Sequence, residues 1–164
     1  MVTLDEIAQL LYGTDGEASG WNGTQEDLIS LAGKLFPGKA FCVVRQWILI
    51  DLTVTPEEKE KLTILGLLPA TLYAHEVVLD SRCRFQPKMW VRSNFGLSFI
   101  YGCMFETKNT VYLLWGPGQR KEATVEAAFS MSAGGDETPQ TSESFWRFGR
   151  MPDAIEVELY GKDV

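Results

Sequence analysis

The chain has 164 residues, 45% of them hydrophobic and 23% charged, with a formal net charge of −7 at pH 7. One ordinary domain of that length buries roughly two-thirds of the surface its unfolded form exposes, and this balance excludes both a disordered chain and a membrane-embedded one. The acidic start Met1-Val2-Thr3-Leu4-Asp5-Glu6, with no apolar run near the ~20 residues a bilayer span requires, predicts a soluble cytoplasmic protein with no membrane partner.

The first third reads as helix. Thr3 stands three residues before Glu6, the capping-box spacing in which each side chain satisfies the other's exposed backbone N–H, and Leu4, Ile7 and Leu11 follow as an apolar stripe. Asp15-Gly16, Ser19-Gly20 and Asn22-Gly23 make residues 13–23 a loop. A second helix is expected after Thr24, with Leu28, Leu31 and Leu35 on one face and Phe36-Pro37-Gly38 as its stop.

From Ala40 the period changes. Phe41-Cys42-Val43-Val44 and Trp47-Ile48-Leu49-Ile50 have the pattern of a strand buried on both faces, interrupted only by Arg45 and Gln46. Thr55-Pro56-Glu57-Glu58 opens a short third helix, with a cap, a proline at the first helical position and acids at the positive end of the dipole; it stops near Gly66. Beyond Pro69 the pattern predicts strands over 71–80, 88–93, 97–105, 110–115, 122–130 and 154–160. Alternation is cleanest in Ala123, Val125, Ala127, Phe129 and in Ile155, Val157, Leu159. The polar stretch 132–144 reads as a mobile surface loop. The expected fold is one α+β domain over 1–164, with N-terminal helices (1–36) packed on a mainly antiparallel, meander-like β-sheet (40–164).

Charge is unevenly spread. Residues 82–121 hold seven basic side chains, Arg82, Arg84, Lys88, Arg92, Lys108, Arg120 and Lys121, against the one acid Glu106. The segment from Arg82 to Arg92 interleaves cations with Phe85, Met89 and Trp90, residue types enriched at interface centres. A contiguous basic strip of Arg82, Arg84, Lys88, Trp90, Arg92, Arg120 and Lys121 is therefore the candidate partner-binding surface. The bland alternative is a solvated strand and turn whose arginines neutralise the acidic flanks.

Catalytic signals are weak. His75 is the only histidine, and on its strand it shares a face with Tyr73, Val77 and Leu79, which favours a hydrogen-bonded packing role. Cys42 and Cys103 alternate with apolar residues as packing groups, and Cys83 between Arg82 and Arg84 reads as a surface thiol. Three cysteines at no ligand spacing predict neither a disulfide framework nor a metal site, and no cofactor motif is present in the sequence. Glu156 and Glu158 read as charge on an exposed strand face rather than a catalytic pair. Gly116-Pro117-Gly118-Gln119-Arg120-Lys121 matches no phosphate-cradle spacing and reads as a hairpin turn.

The runs Val43-Val44-Arg45-Gln46-Trp47-Ile48-Leu49-Ile50-Asp51, Leu68-Pro69-Ala70-Thr71-Leu72-Tyr73-Ala74-His75, Asp80-Ser81-Arg82, Trp90-Val91-Arg92-Ser93 and Asn109 to Gly118 resemble a family of small uncharacterised bacterial proteins. The resemblance covers about residues 40–118. It implies a small stand-alone bacterial protein and carries no catalytic motif.

The resulting expectation is a non-enzymatic binding protein, such as an immunity protein, antitoxin or inhibitor, that holds another protein. Its contacts would come from the basic strip or from Asp136, Glu137, Glu156 and Glu158. The alternative is a small-ligand-binding domain or hydrolase-like enzyme, with a pocket around Tyr73, His75, Trp90 and Tyr101. Nucleic acid is not the expected partner, because the net charge opposes phosphate binding.

Overall fold

The computed structural model describes residues 2–14 and 16–130. The strand expected over 154–160, the loop over 132–144 and the four acidic candidates from Asp136 to Glu158 lie outside the described residues.

Local chemistry places three helices where the sequence puts them. Helix α1 (Leu4–Tyr12) opens on a reciprocal box: Glu6 N–H donates to Thr3 Oγ1 at 3.1 Å and Thr3 N–H to the Glu6 carboxylate at 2.7 Å. Those hydrogen bonds hold the Glu6 carboxyl below its usual value. Thr24 caps α2 (Gln25–Leu35) through Asp27 N–H, and Thr55 and Glu58 repeat the box at α3 (Pro56–Ile64). Each threonine satisfies a backbone donor that a helix start would otherwise leave open, a contribution of about 1 kcal/mol.

The sheet is organised around one long strand. Between α1 and α2 lies a two-residue strand, β1 (Glu17–Ala18), and after α2 comes β2 (Ala40–Thr53). On one side β2 pairs antiparallel with β3 (Ala70–Asp80), which carries β4 (Val91–Arg92) on its far edge. Strands β5 (Ser98–Ile100) and β6 (Met104–Glu106) form a hairpin. Then β7 (Thr110–Leu114) runs parallel to the first half of β2, and β8 (Gly118–Thr124) runs parallel to its second half. β6 flanks β7 and β1 flanks β8, both antiparallel.

Residues 93–97 join the two ends of this order. Gly96 N–H donates to Ala70 O at 3.0 Å on the β3 side, and Leu97 N–H donates to Glu106 O at 2.6 Å on the β6 side. The sheet therefore curls round a core that includes Val44, Trp47, Leu49, Leu72, Phe105 and Tyr112. Helix α2 covers one outer patch, seating Leu28 and Ala32 on Val43, Val111 and Leu113. A second patch of Ile48, Ile50, Tyr73 and Phe95 packs with Leu10 of α1, Leu62 of α3 and Phe129 of α4 (Val125–Ser130). Burial of these side chains is the main stabilising term.

The α+β class is as expected, and the meander is corrected to a mixed sheet. Residues 116–121 do not reverse the chain: β7 continues into β8 along the same flank of β2, so the expected hairpin turn is a break within one strand line. The strand expected over 97–105 is a hairpin, because Tyr101 (φ 54°) and Gly102 (φ 66°) turn it over. The strand expected over 122–130 ends at Thr124, whose Oγ1 accepts from Ala127 N–H at 3.0 Å and starts α4. Consecutive burial of Ala127, Ala128 and Phe129 fits a helix embedded in the core rather than alternation. Among the described residues no helix is long and apolar enough to cross a membrane.

Candidate functional site

The site begins at the interruption in β2. Arg45 and Gln46 are exposed between two buried runs, and the residues facing the interior change from Cys42 and Val44 before them to Trp47 and Leu49 after them. The alternation shifts phase by one across this pair, while the β2–β3 register runs on unbroken from Val44 opposite Val77 to Trp47 opposite Ala74. Gln46 takes φ 53° there, a left-handed conformation that costs a side-chain-bearing residue about 1–2 kcal/mol. The neighbouring strand line breaks at the same level, with Gly116 at φ 81°.

Trp47 anchors the break. Its indole Nε1 donates to Gly116 O at 3.0 Å and the residue is 1% exposed. A Cβ on Gly118 would lie 2.2 Å from the Trp47 ring, so only glycine admits this approach.

Two aromatic groups flank the exposed pair. On one side the Arg45 guanidinium lies 4.8 Å over the Trp115 ring. Trp115 forms a parallel bridge with Trp21, and both indoles are tied to the loop before α2: Trp21 Nε1 donates to Thr24 O, and Trp115 Nε1 to Gly23 O. On the other side lies a cleft of about 810 Å³ whose lining includes Tyr12, Glu17, Gln46, Trp47, His75 and Pro117. The Tyr12 ring stacks on His75 at 5.3 Å, His75 meets the edge of Tyr73 at 4.9 Å, and Trp90 stacks on Tyr73 at 5.9 Å.

His75 Nε2 lies 3.0 Å from Leu11 O. A carbonyl only accepts, so this nitrogen carries the proton and is committed to the end of α1. Burial, with Tyr12 nearby, pushes the Tyr73 phenol up to about 12, which keeps it neutral at physiological pH. Glu17 is the only carboxylate among the described lining residues, and the Gln119 amide donates to Gly13 O at 2.7 Å. The cleft therefore holds stacking surfaces and hydrogen-bonding groups rather than a paired acid and base. Tyr101, expected in this pocket, is 73% exposed in the β5–β6 turn and does not line the cleft. Tyr73, His75 and Trp90 come together as a run of ring contacts, and of the three only His75 lines the cleft.

The basic candidates do not form one strip. Arg84 clamps the buried Asp80 with Nη2–Oδ1 at 2.7 Å and Nε–Oδ2 at 3.0 Å, and its Nη1 donates to Thr110 Oγ1. Burial alone would raise the Asp80 carboxyl, but the Arg84 guanidinium and the backbone N–H groups of Arg84 and Phe85 outweigh it and hold the group low. Arg92 is 2% exposed, donates to Phe129 O at 3.1 Å and lies over the Phe129 ring. Burial pushes its guanidinium down to about 10, with Tyr112 acting in the opposite direction, so it stays charged at neutral pH.

Arg120 sits across β2 from this loop, paired with Asp51 at 2.7 Å; that hydrogen bond raises its guanidinium above the usual value. Lys121 Nζ donates to the carbonyls of Gln9, Leu10 and Gly13 at the end of α1. Arg82 and Lys88 are exposed in the loop after β3 and Trp90 is half-buried. The expected strip is thus corrected: most of its cations satisfy internal carboxylates and carbonyls, on both sides of β2.

Cys42, Cys83 and Cys103 form no disulfide among the described residues; the first and last are buried, and burial pushes the Cys103 thiol up. Sequence reasoning missed Tyr12, Trp21, Arg45, Gln46 and Trp115 as surface groups. Their signal was the Arg45-Gln46 break inside an otherwise buried strand.

A family model described as a domain of unknown function, DUF6957, matches residues 19–130. No curated protein and no solved structure matches the chain. The matched span is wider than the resemblance seen over 40–118 and takes in α2, the kink of β2 and α4. The chain belongs to the DUF6957 family of domains of unknown function.

Proposed function

We propose that this domain is a non-enzymatic protein-binding module, of the immunity, antitoxin or inhibitor kind, and that its partner docks on the surface around the kink of β2. The observation that carries this reading is the exposed pair Arg45-Gln46, held with Gln46 at φ 53° between the Trp21–Trp115 and Tyr12–His75 groups. Strained backbone persists where the surroundings over-determine it, and it concentrates at functional surfaces. Tryptophan, tyrosine and arginine are also the side chains that dominate interface hot spots. A chain of net charge −7 favours a basic partner through complementary potential.

The test is affinity capture from the source organism with three baits, quantified by mass spectrometry. A specific protein held by the wild-type chain and by Arg82→Ala, but lost from a Tyr12→Ala/Arg45→Ala double variant, is the expected result. Equal capture by all three contradicts it.

The cleft supports a second reading, a small-ligand site. Its volume of about 810 Å³ is of the size that encloses a small molecule, with Tyr12, His75 and Gln46 at hand to hold one. Thermal-shift screening of small molecules, with Tyr12→Ala as the control, separates this reading from the first.

A further inference from the structure

The cleft beside the kink offers an occupant rings and amides but little charge. Tyr12 is 70% exposed with its ring stacked on His75, and Pro117, also exposed, lines the same cleft. Grooves lined by aromatic side chains are where proline-rich segments dock. A polyproline II segment arrives already extended, loses little entropy on binding, and keeps its carbonyls open to outside donors. Gln46 presents an exposed side-chain amide at the rim. Exposed Glu17 is the only carboxylate among the described lining residues, and it suits a guanidinium or ammonium group.

We infer that the cleft takes a proline-rich segment of the partner protein, flanked by an arginine or lysine that reaches Glu17. This rests on the reading of the kink as the docking surface.

A random-peptide phage library selected on the full-length wild-type chain tests it. The expected winners carry two or more prolines and a basic residue. Their affinity falls roughly tenfold or more on Tyr12→Ala, and the basic residue loses its advantage on Glu17→Lys. Both side chains are exposed, so circular dichroism of the variants should match the wild type, with Tm lowered on Tyr12→Ala only by the loss of the Tyr12–His75 stack. Winners without proline that still depend on Tyr12 overturn this inference and leave the kink as a docking surface. Winners indifferent to Tyr12→Ala and Arg45→Ala overturn both readings. Absence of any enrichment also overturns the proline-rich segment, since a short extended ligand is what the library supplies.

Discussion

Arg84, in the loop after β3, and Arg45, at the kink of β2, are both surface guanidinium groups, yet the fold treats them differently. Arg84 is engaged by a buried carboxylate and a threonine hydroxyl, and its geometry closes the loop on itself. Arg45 lies over the Trp115 ring, and among the described residues no carboxylate pairs with it. A cation already satisfied within the chain loses that partner if it turns to another molecule, whereas one resting on an aromatic face can add a contact without giving one up. For the docking role proposed above, the contrast favours the kink by what each arginine can still contact, not by how many cations a stretch contains.

The comparison can be broken most sharply from beneath the kink. Trp47→Ala should cost about 4 kcal/mol in urea denaturation, because it empties the core under Gly118 and removes the indole bond to Gly116. A cost below about 1 kcal/mol would mean the kink does not depend on that anchor.

On the other side of the contrast, Asp80→Asn should cost about 2 kcal/mol at pH 7 by removing the carboxylate that Arg84 and two backbone N–H groups hold. The folded-state pKa of Asp80 lies below its ordinary 3.8. Its contribution is therefore complete above that value and is lost as pH falls through the lowered pKa. The gap between wild type and variant should narrow in acid; a gap that stays constant to the acid limit would contradict the assignment.

Gln46→Gly sharpens the account of strain. Glycine adopts φ 53° freely, so stability should be unchanged or raised by up to about 1 kcal/mol, although an exposed side chain is lost. A clear loss of Tm would show that the side chain, not the backbone, holds the kink. The smallest effect belongs to Arg82→Ala, expected within about 0.5 kcal/mol of wild type by chemical denaturation, because Arg82 is exposed and no ion pair ties it to the described residues.

Features written in a few adjacent residues were legible in the sequence. Thr3 with Glu6, Thr24, and Thr55 with Pro56 and Glu58 each announce a helix start whose donors are satisfied within one turn. The pairing of Ala40 with Thr110 was not legible, because a parallel neighbour is chosen by what packs across the whole fold. Nor did the count of arginines reveal that Arg92 turns inward onto Phe129 while Arg84 folds back on Asp80. For the candidate site, the closeness of Tyr73 to His75 on β3 could be read from strand alternation, but Tyr12 reaches His75 from a helix distant in sequence. The break at Arg45-Gln46 was visible as an interruption; its left-handed backbone was not.

The most direct measurement is site-specific photo-crosslinking in the source organism, with benzoylphenylalanine placed at position 46 in one strain and at position 82 in another. A discrete protein adduct from position 46, and none from position 82, is the predicted result. An adduct from position 82 alone would place the partner on the basic loop and contradict the account.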